Sequence, residues 1–259
     1  MSEIHSHSIV SPKARIGRGC SIGAYAVVGD DVELGEGCVL HSHAVVQGPA
    51  RAGRENVFHS FCSVGGDPQD LKYAGERTEL EMGDGNTFRE FVTVNRGTGK
   101  GGGLTRIGNG SLFMAYAHVA HDCRVGNRTV FANGATLAGH VTIEDYVSVG
   151  AFSAVHQFCR VGRYGYIGGF TVVTQDVPPF SLVVTERETK CFGVNAIGLE
   201  RGGFGAERIR TIEQAYRLLL RSKLNTAQAL ERMRATLNGS ADVQELIQFI
   251  ETAERGLTK

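Results

Sequence analysis

The amino-acid sequence predicts a mainly β protein, a parallel β-helix of hexapeptide repeats followed by a small C-terminal α-helical domain. Two observations predict this fold class. Apolar residues recur at every sixth position from Ile4 to Val64 and again from Ile107 to Val173, often with a glycine directly after them. Beyond residue 206 the apolar spacing becomes helical. A period of six fits neither an α-helix, with a period of about 3.6, nor a half-buried strand, with a period of about 2.

Each six-residue unit is expected to form one short strand and one turn, and three units are expected to close one coil of 18 residues. The apolar residue of each unit points into the coil. A single coil cannot bury this inner face, so the coils must stack, at about 4.8 Å per coil. The short series Met82, Phe88 and Val94 joins the two long runs, and the 26 units predict between eight and nine coils.

Two segments interrupt the series and are expected to leave the coils as loops, residues 66–79 and residues 97–103. Loops on a rigid scaffold often carry function. The period ends after the proline pair at 178–179. We therefore expect a β-helix over residues 1–190 and a helical domain over residues 191–259.

Within the helical domain, the apolar spacing predicts helices over residues 206–222, 226–237 and 241–254, the last with Ser240 as its N-cap. Between residues 186 and 234 there are ten Lys or Arg residues against six Glu residues. This basic excess is consistent with an acidic protein partner that docks through residues such as Arg208 and Arg210, and also with an ordinary solvated helix face.

Composition excludes several classes of protein. The 27 basic and 27 acidic side chains balance, which argues against a general nucleic-acid binder. No apolar run is long enough to span a membrane, and the first ten residues have no apolar signal core. The six cysteines show no CxxC spacing and are interpreted as reduced thiols. We therefore expect a cytoplasmic protein.

The 18-residue winding predicts which polar residues lie together. It places one group on a single edge of the prism, over three successive coils: His118, His121, Asp122, Gly139, His140 and His156. His140 is expected directly above Asp122, and Gly139 directly above His121, about 4.8 Å along the axis. His41 and His59 also lie 18 positions apart, so histidine stacking alone does not prove a site.

The chemistry of this group suits acyl transfer to a hydroxyl. His121 can act as a general base, Asp122 can orient it, and the backbone N–H of Gly139 can stabilise an oxyanion. Two other interpretations stay open at this point. The histidines are exposed turn residues without a role, or His118, His121 and His140 bind zinc.

Seven segments of the chain resemble the UDP-N-acetylglucosamine acyltransferase family, whose members belong to lipid A biosynthesis. They are QDLKYAGE (69–76), NRGT (95–98), AHVAHDC (117–123), ATLAGHV (135–141), AVHQF (154–158), QDVPP (175–179) and FGVN (192–195). The hexapeptide repeats alone are a weak signal, shared by many transferases. The first loop and the two histidine segments together are specific, and the resemblance covers nearly the whole chain.

The resemblance implies left-handed coils and a reaction. A 3-hydroxyacyl chain moves from the thioester of acyl carrier protein to the 3-position of UDP-N-acetylglucosamine, or of a 3-amino analogue, as the first step of lipid A biosynthesis. No cofactor or metal is implied. The family pattern also implies a homotrimer with active sites between subunits, so that loop 66–79 would reach a neighbouring subunit.

By the same resemblance, His121 is the general base, Asp122 its orienting partner and Gly139 the oxyanion donor. The substrate contacts it implies are Gln69, Asp70, Lys72, His118, His140, His156, Gln157, Asn195 and Arg201. Gly169 matches the position that limits acyl length, and a glycine there implies a longer tunnel.

Two departures from the family pattern bear on specificity. Ile197 replaces an acidic residue that some members have near the uracil, and residues 185–189 replace a small, Gly/Asn-containing segment at the mouth of the acyl tunnel. Acyl chain length and the choice between a 3-hydroxyl and a 3-amino acceptor therefore stay open. The alternatives are the related N-acyltransferase, whose additional N-terminal domain has no room before Ile4, an acetyl-CoA-dependent relative, a zinc hydratase and a non-catalytic scaffold.

Overall fold

The computed structural model describes residues 2–185, 191, 193–253 and 257. The chain divides into two compact units, Met1–Thr185 and Glu186–Lys259. Residues 186–190 lie outside the described residues, and the domain boundary expected at 190 and most of the unusual segment 185–189 fall among them.

The described part of the first unit contains 27 short strands, numbered in chain order, in three parallel sheets that form the three sides of the coils. The first sheet is β1 (Glu3–Ile4), β4 (Ser21–Ile22), β7 (Val39–Leu40), β10 (Val57–Phe58), β13 (Thr87–Phe88), β16 (Leu112–Phe113), β19 (Val130–Phe131), β22 (Ser148–Val149), β25 (Tyr166–Ile167) and β27 (Leu182–Val183). The second is β2 (Ile9–Val10), β5 (Val27–Val28), β8 (Val45–Val46), β11 (Ser63–Gly66), β14 (Thr93–Asn95), β17 (His118–Val119), β20 (Thr136–Leu137), β23 (Ala154–Val155) and β26 (Val172–Val173). The third is β3 (Arg15–Ile16), β6 (Val32–Leu34), β9 (Ala50–Ala52), β12 (Glu79–Met82), β15 (Leu104–Ile107), β18 (Arg124–Val125), β21 (Thr142–Ile143) and β24 (Arg160–Val161).

The strand register follows the 18-residue winding. His118 pairs with Thr136, and Thr136 pairs in turn with Ala154. Across the two insertions the partners are further apart in sequence, Ser63 with Thr93 and Thr93 with His118. The extra residues therefore leave the coils as loops, 67–78 and 96–103, and the apolar positions stay aligned on both sides of them.

The last coil differs from the sequence prediction. The period was expected to end at the proline pair, but β27 pairs with β25, Tyr166 with Leu182, and Val161 bridges to Val177. These partners are 16 positions apart rather than 18, because Val177 follows Val173 by four residues. A two-residue deletion in one turn hides the last strand from a search at a strict period of six.

The interior of the prism is apolar and continuous. The residues at the six-residue stops are mostly buried, and four of them form a stack of rings with centroids 4.8 to 5.2 Å apart, Phe58, Phe88, Phe113 and Phe131. Five free cysteines, Cys20, Cys38, Cys62, Cys123 and Cys159, occupy the small position two residues before a stop and are buried. Burial raises the pKa of the Cys62 thiol to about 12, so it stays protonated and packs as a small apolar group.

The second unit contains four described helices, α1 (Ala196–Arg201), α2 (Ala206–Leu220), α3 (Thr226–Thr236) and α4 (Ala241–Glu251). The predicted helices are α2 to α4, each one to three residues shorter than expected, and the predicted cap is present, since Ser240 accepts a hydrogen bond from the backbone of Val243. The sequence analysis missed α1 because six residues are too few to show a period. Among the helices that the structure describes, none has the length and apolar character needed to span a bilayer.

Replacing Phe113 with alanine removes a ring from the middle of the interior stack. We expect the free energy of unfolding to fall by about 3 to 5 kcal/mol, because the lost apolar contact adds to the cavity left behind. Urea denaturation followed by circular dichroism measures this. Phe91→Ala is the matched control, since Phe91 stacks between Phe61 and Tyr116 on an exposed edge, where we expect a loss below about 1.5 kcal/mol. Equal losses for the two variants would contradict the assignment of Phe113 to the core.

Candidate active site

The structure brings the histidine group together on one edge of the prism. The turn after β17 carries His121 and Asp122, and the turn after β20 carries Gly139 and His140 one coil further along. The backbone N–H of His140 donates to the carbonyl of His121 at 3.0 Å, and the two rings meet edge to face with centroids 5.2 Å apart. Asp122 and His140 both adopt left-handed backbone conformations, with φ of 60° and 61°, so their side chains project from the same corner of successive coils.

His121 and Asp122 form a close pair. His121 Nδ1 lies 2.8 Å from Asp122 Oδ2, and the Asp122 side chain is almost completely buried. Asp122 also accepts two hydrogen bonds from Thr98, from its N–H to Oδ1 at 2.9 Å and from its hydroxyl to Oδ2 at 2.7 Å. A carboxyl group that accepts at both oxygens is an ionised acceptor, so the hydrogen between the pair belongs to His121 Nδ1. His121 Nε2 is therefore the unprotonated nitrogen, as a general base requires.

Gly139 lies directly against the His121 ring. A Cβ at this position would lie 2.5 Å from His121 Cε1 and 2.9 Å from Nε2, so only glycine fits here. Within the described part of the chain, the Gly139 N–H donates no hydrogen bond. The site thus places a glycine with a free backbone donor against the ring that carries the basic nitrogen.

His118 is less exposed than a turn histidine would be. Its Nδ1 lies 2.7 Å from the hydroxyl of Thr93, the strand partner one coil earlier. Burial lowers the pKa of His118, and the nearby His121 lowers it further. His118 is therefore suited to contact a substrate as a neutral ring.

The other predicted residues of this edge lie further along the prism. His140 stacks on Phe158 with centroids 4.6 Å apart. His156 and Gln157 are exposed and lie in the next coil. A Cβ at Gly169 would lie 3.3 Å from the Ala151 carbonyl oxygen and would meet few other atoms. The space beside this position would therefore shrink as the side chain became larger.

The predicted sugar-binding residues occupy the exposed end of loop 67–78. Asp70 Oδ1 accepts a hydrogen bond from the backbone N–H of Lys72 at 2.9 Å, and Leu71 between them is fully exposed. Within the described residues, no hydrogen bond or ion pair joins Gln69, Asp70 or Lys72 to His121. Among the described residues, this part of the predicted site therefore has no polar contact that joins it to the proposed base of the same chain.

In the second unit, Asn195 caps α1 by accepting a hydrogen bond from the N–H of Gly198, and Arg201 lies in the last turn of that helix. Asn195 also lines a cavity of about 470 Å³ together with Tyr216, Arg217 and Arg221. Ile197, the departure from the family pattern, is exposed.

The charge argument for docking needs a correction at Arg208. Its guanidinium makes two hydrogen bonds of 2.7 Å to the Asp242 carboxylate and lies over the Phe204 ring. Arg208 therefore joins α2 to α4 within the unit, whereas the sequence analysis treated it as a free surface charge.

The structure also identifies residues that the sequence analysis did not assign to the site. Thr98 and Thr105 hold Asp122, the second by accepting a hydrogen bond from its backbone N–H at 2.8 Å. Thr98 lies in a loop outside the six-residue schedule, so the period gave no signal for it. Thr105 stands two residues before Ile107 and 18 positions before Cys123, so the winding could have placed it beside Asp122.

His121, Asp122 and His140 are also the residues that could hold a cation, since their ligand atoms lie within 4.8 Å of one another. This group contains Asp122 in place of His118, which the zinc interpretation had used. Both Asp122 oxygens already accept hydrogen bonds from Thr98, and Oδ2 faces His121 Nδ1 as well.

We expect His118 to titrate below its ordinary value of 6.5. Because the pKa of His118 is lower in the folded protein than in the unfolded chain, His118 takes up its proton in the unfolded chain first as the pH falls. The free energy of unfolding should therefore decrease from about pH 6.5 downward, relative to a His118→Gln variant that cannot take up this proton. NMR titration of the ring and urea denaturation across this range measure the two effects. An unfolding free energy with the same pH slope in both proteins would contradict the prediction.

Comparisons with known proteins identify the family. The family model described as UDP-N-acetylglucosamine O-acyltransferase, domain 2, matches residues 176–258, and the bacterial transferase hexapeptide model matches residues 13–48 and 104–139. An acyl-[acyl-carrier-protein]--UDP-N-acetylglucosamine O-acyltransferase of Stenotrophomonas maltophilia (strain R551-3) is 52% identical over 256 residues, covering 99% of this chain and 97% of the relative. The protein of the same name from Anaeromyxobacter dehalogenans (strain 2CP-1) is 54% identical over 256 residues, covering 99% of both.

Solved structures agree with the sequence relatives. The structure of LpxA from Acinetobacter baumannii has a TM-score of 0.69 at 40% identity and covers 99% of both chains. The Arabidopsis UDP-N-acetylglucosamine acyltransferase has a TM-score of 0.62 at 33% identity, covering 99% of this chain and all of the other. The predicted fold class, a left-handed parallel β-helix followed by a helical domain, is thereby confirmed. The chain belongs to the UDP-N-acetylglucosamine O-acyltransferase family.

Proposed function

We propose that this chain transfers a 3-hydroxyacyl group from the thioester of acyl carrier protein to the 3-position of UDP-N-acetylglucosamine or its 3-amino analogue, the first step of lipid A biosynthesis. The observation that carries the proposal is the pairing of an oriented base with a free oxyanion donor. Gly139, whose N–H donates no hydrogen bond within the described residues, packs against the His121 ring that Asp122 orients, in a chain whose relatives bear the name of this activity.

The proposed reaction is one acyl transfer. His121 Nε2 removes the proton from the acceptor hydroxyl as its oxygen attacks the thioester carbonyl. The Gly139 N–H donates to the oxyanion of the tetrahedral intermediate, and Asp122 stabilises the imidazolium. Collapse breaks the carbon–sulfur bond, and the carrier thiolate receives the proton from His121. The products are the acylated sugar nucleotide and the free carrier thiol, and no metal or cofactor takes part.

The remaining residues are proposed as substrate contacts. Neutral His118 and the His140 ring flank the base, and His156 and Gln157 extend the same edge. Asp70 and Lys72, with Gln69, are proposed to hold the sugar, Asn195 and Arg201 the nucleotide, and Gly169 is proposed to set acyl length.

We also propose a homotrimer with active sites between subunits, located in the cytoplasm. The exposed position of Leu71 between Asp70 and Lys72, without a contact to the histidines of its own chain, supports a role for loop 67–78 on a neighbouring subunit. The buried free cysteines are typical of a reducing compartment.

His121→Ala should lower turnover at least about 100-fold, because the attacking hydroxyl loses its base. Mass spectrometry of mixtures of acyl carrier protein thioesters with each UDP-sugar measures this, and the same panel reports chain length and acceptor. His41→Ala is the matched control: His41 stacks on His59 with no aspartate beside it, and its loss should leave turnover unchanged. A full rate for His121→Ala contradicts the proposal. So does stoichiometric zinc with chelator-sensitive activity, which would instead favour a hydratase.

Gly139→Ala should also lower turnover about 100-fold or more. The new methyl group would collide with the His121 ring and displace it, so the base and the oxyanion donor would no longer be aligned. Gly205→Ala is the control, because a Cβ at Gly205 meets no atom within 4 Å and its φ is −69°. Steady-state rates with circular dichroism of both variants check this prediction. Wild-type turnover in a folded Gly139→Ala protein would contradict the requirement for a glycine against the His121 ring.

A further inference from the structure

Residues 95–99, the last residue of β14 and the first four residues of loop 96–103, have no role in the mechanism above. Their side chains are nevertheless unusually buried for a polar loop, with Asn95, Arg96 and Thr98 each less than 8% exposed. Buried polar groups are costly unless they are hydrogen-bonded, so the partners of these three side chains indicate what the segment does.

The Thr98 end of the segment holds the carboxylate of Asp122. Its N–H and hydroxyl donate to the two different carboxylate oxygens, at 2.9 and 2.7 Å. The Thr98 hydroxyl accepts a hydrogen bond from the Gly101 N–H at 3.1 Å, so its own hydrogen is directed to Asp122. Gly101 packs so closely that a Cβ there would overlap the carboxylate. The Asp122 side chain therefore has one orientation, with Oδ2 towards His121.

The Arg96 end of the segment holds the base of loop 67–78. The Arg96 guanidinium donates to the carbonyl of Gly65, to the Asp67 carboxylate and to the Tyr73 hydroxyl. Asn95 Nδ2 donates to the carbonyl of Asp67 at 2.7 Å. These contacts fix the point where the chain leaves β11 and a second point beyond the predicted sugar-binding residues.

A third contact is made by Gly99, the residue after Thr98. The N–H of Gly99 donates to Glu76 Oε1 at 3.1 Å, and the other carboxylate oxygen of Glu76 accepts from the N–H of Ala74. Tyr73 in turn donates its hydroxyl hydrogen to the carbonyl of Glu76. Both ends of loop 67–78 are thus tied to residues 95–99, the segment that also holds Asp122 through Thr98.

We propose that residues 95–99 are a positioning segment that aligns the substrate loop with the His121–Asp122 pair, and that Thr98 is the positioning residue for the base. The inference rests on the proposed function for its kinetic consequences. Thr98 acts through Asp122 and touches no reacting atom. Arg96 acts through the loop and should affect substrate binding rather than the proton transfer.

Loss of the Thr98 hydroxyl should change the protonation of the site in a defined direction. The groups that face Asp122 are His121 and His140, and His118 lies close enough to His121 to influence its charge. Glu76 faces the segment across Gly99. With one donor fewer, the negative charge on Oδ2 is less dispersed and attracts the neighbouring imidazolium more strongly. More base is then protonated at a given pH, so the acidic limb of the pH–rate profile moves to higher pH.

The test begins with Thr98→Val, which keeps the shape and the backbone N–H but removes the hydroxyl. We expect kcat to fall about 10-fold, with the KM for the sugar nucleotide within about twofold of wild type and the acidic limb displaced upward. Thr98→Ser restores the hydroxyl and should recover most of kcat. Thr129→Val is the matched control, because Thr129 is also buried and its hydroxyl donates to Ser111 Oγ. Thr129 directly precedes β19 of the first sheet, whereas the histidine turns follow β17 and β20 of the second, so this change should leave kcat and the pH profile unchanged.

The other end is tested with Arg96→Lys, which keeps the charge but loses the forked donor. We expect the KM for the sugar nucleotide to rise about 10-fold, with the acidic limb at its wild-type pH. The inference is overturned if folded Thr98→Val keeps wild-type kcat and pH profile, if Thr98→Ser is as impaired as Thr98→Val, or if Thr129→Val loses as much.

A readout that needs no catalysis separates this inference from the proposed function. The proton chemical shift of His121 Nδ1–H, measured by NMR, reports the strength of its hydrogen bond to Asp122. We expect the same shift in the wild type and in Thr98→Ser, and a downfield displacement in Thr98→Val, because Oδ2 has one donor fewer. An unchanged Nδ1–H shift in Thr98→Val overturns the inference even if the protein transfers acyl groups. A wild type without acyl transfer overturns the proposed function and leaves this comparison intact.

Discussion

Register between stacked parallel strands is the constraint on which the whole site depends. His121, Asp122, Gly139 and His140 meet because their coils pair at an offset of 18 residues, as His118 pairs with Thr136. A slip of one residue would turn the buried side chain of each strand outward, so the apolar interior opposes it at every level of the stack. Such a slip would also separate stacked rings such as Phe88 and Phe113, which raises its cost in free energy. Insertions can therefore grow only as loops.

That rigidity supports a locally unfavourable arrangement. Asp122 is buried and has a left-handed backbone, two features that each cost free energy in isolation. The hydrogen bonds that Thr98 donates to the carboxylate offset its burial, and Thr105 accepts a hydrogen bond from the backbone N–H of Asp122. The fixed turn between β17 and β18 holds the backbone. The resulting carboxylate needs no rearrangement when His121 gains a proton, which is the electrostatic preorganisation that a general base requires.

The parts of the structure that follow the period could be predicted from the sequence, and the parts that leave it could not. Period and winding predicted the interior and the placement of His140 above Asp122, because both depend only on spacing. Thr98 reaches Asp122 through a loop whose conformation no spacing encodes. Strand β27 was missed for a related reason, since a shorter turn shifts Val177 off the schedule. Arg208 shows a further limit: its charge was visible in the sequence, but its pairing with Asp242 depends on how α2 and α4 pack.

The hydrogen bonds of Asp122 also bear on the choice between base catalysis and metal binding. If His121 joined Asp122 in holding a cation through Nδ1, the ring nitrogen 2.8 Å from Oδ2, it would have to offer a lone pair there, which requires the opposite tautomer from the one that the ionised carboxylate favours. The Thr98 hydroxyl, whose lone pair already accepts from Gly101, would keep its hydrogen pointed at the oxygen that the cation needs. Each donor that makes Asp122 a good partner for an imidazolium thus makes it a poorer metal ligand. The loop that supplies these donors therefore favours proton transfer at this edge of the prism.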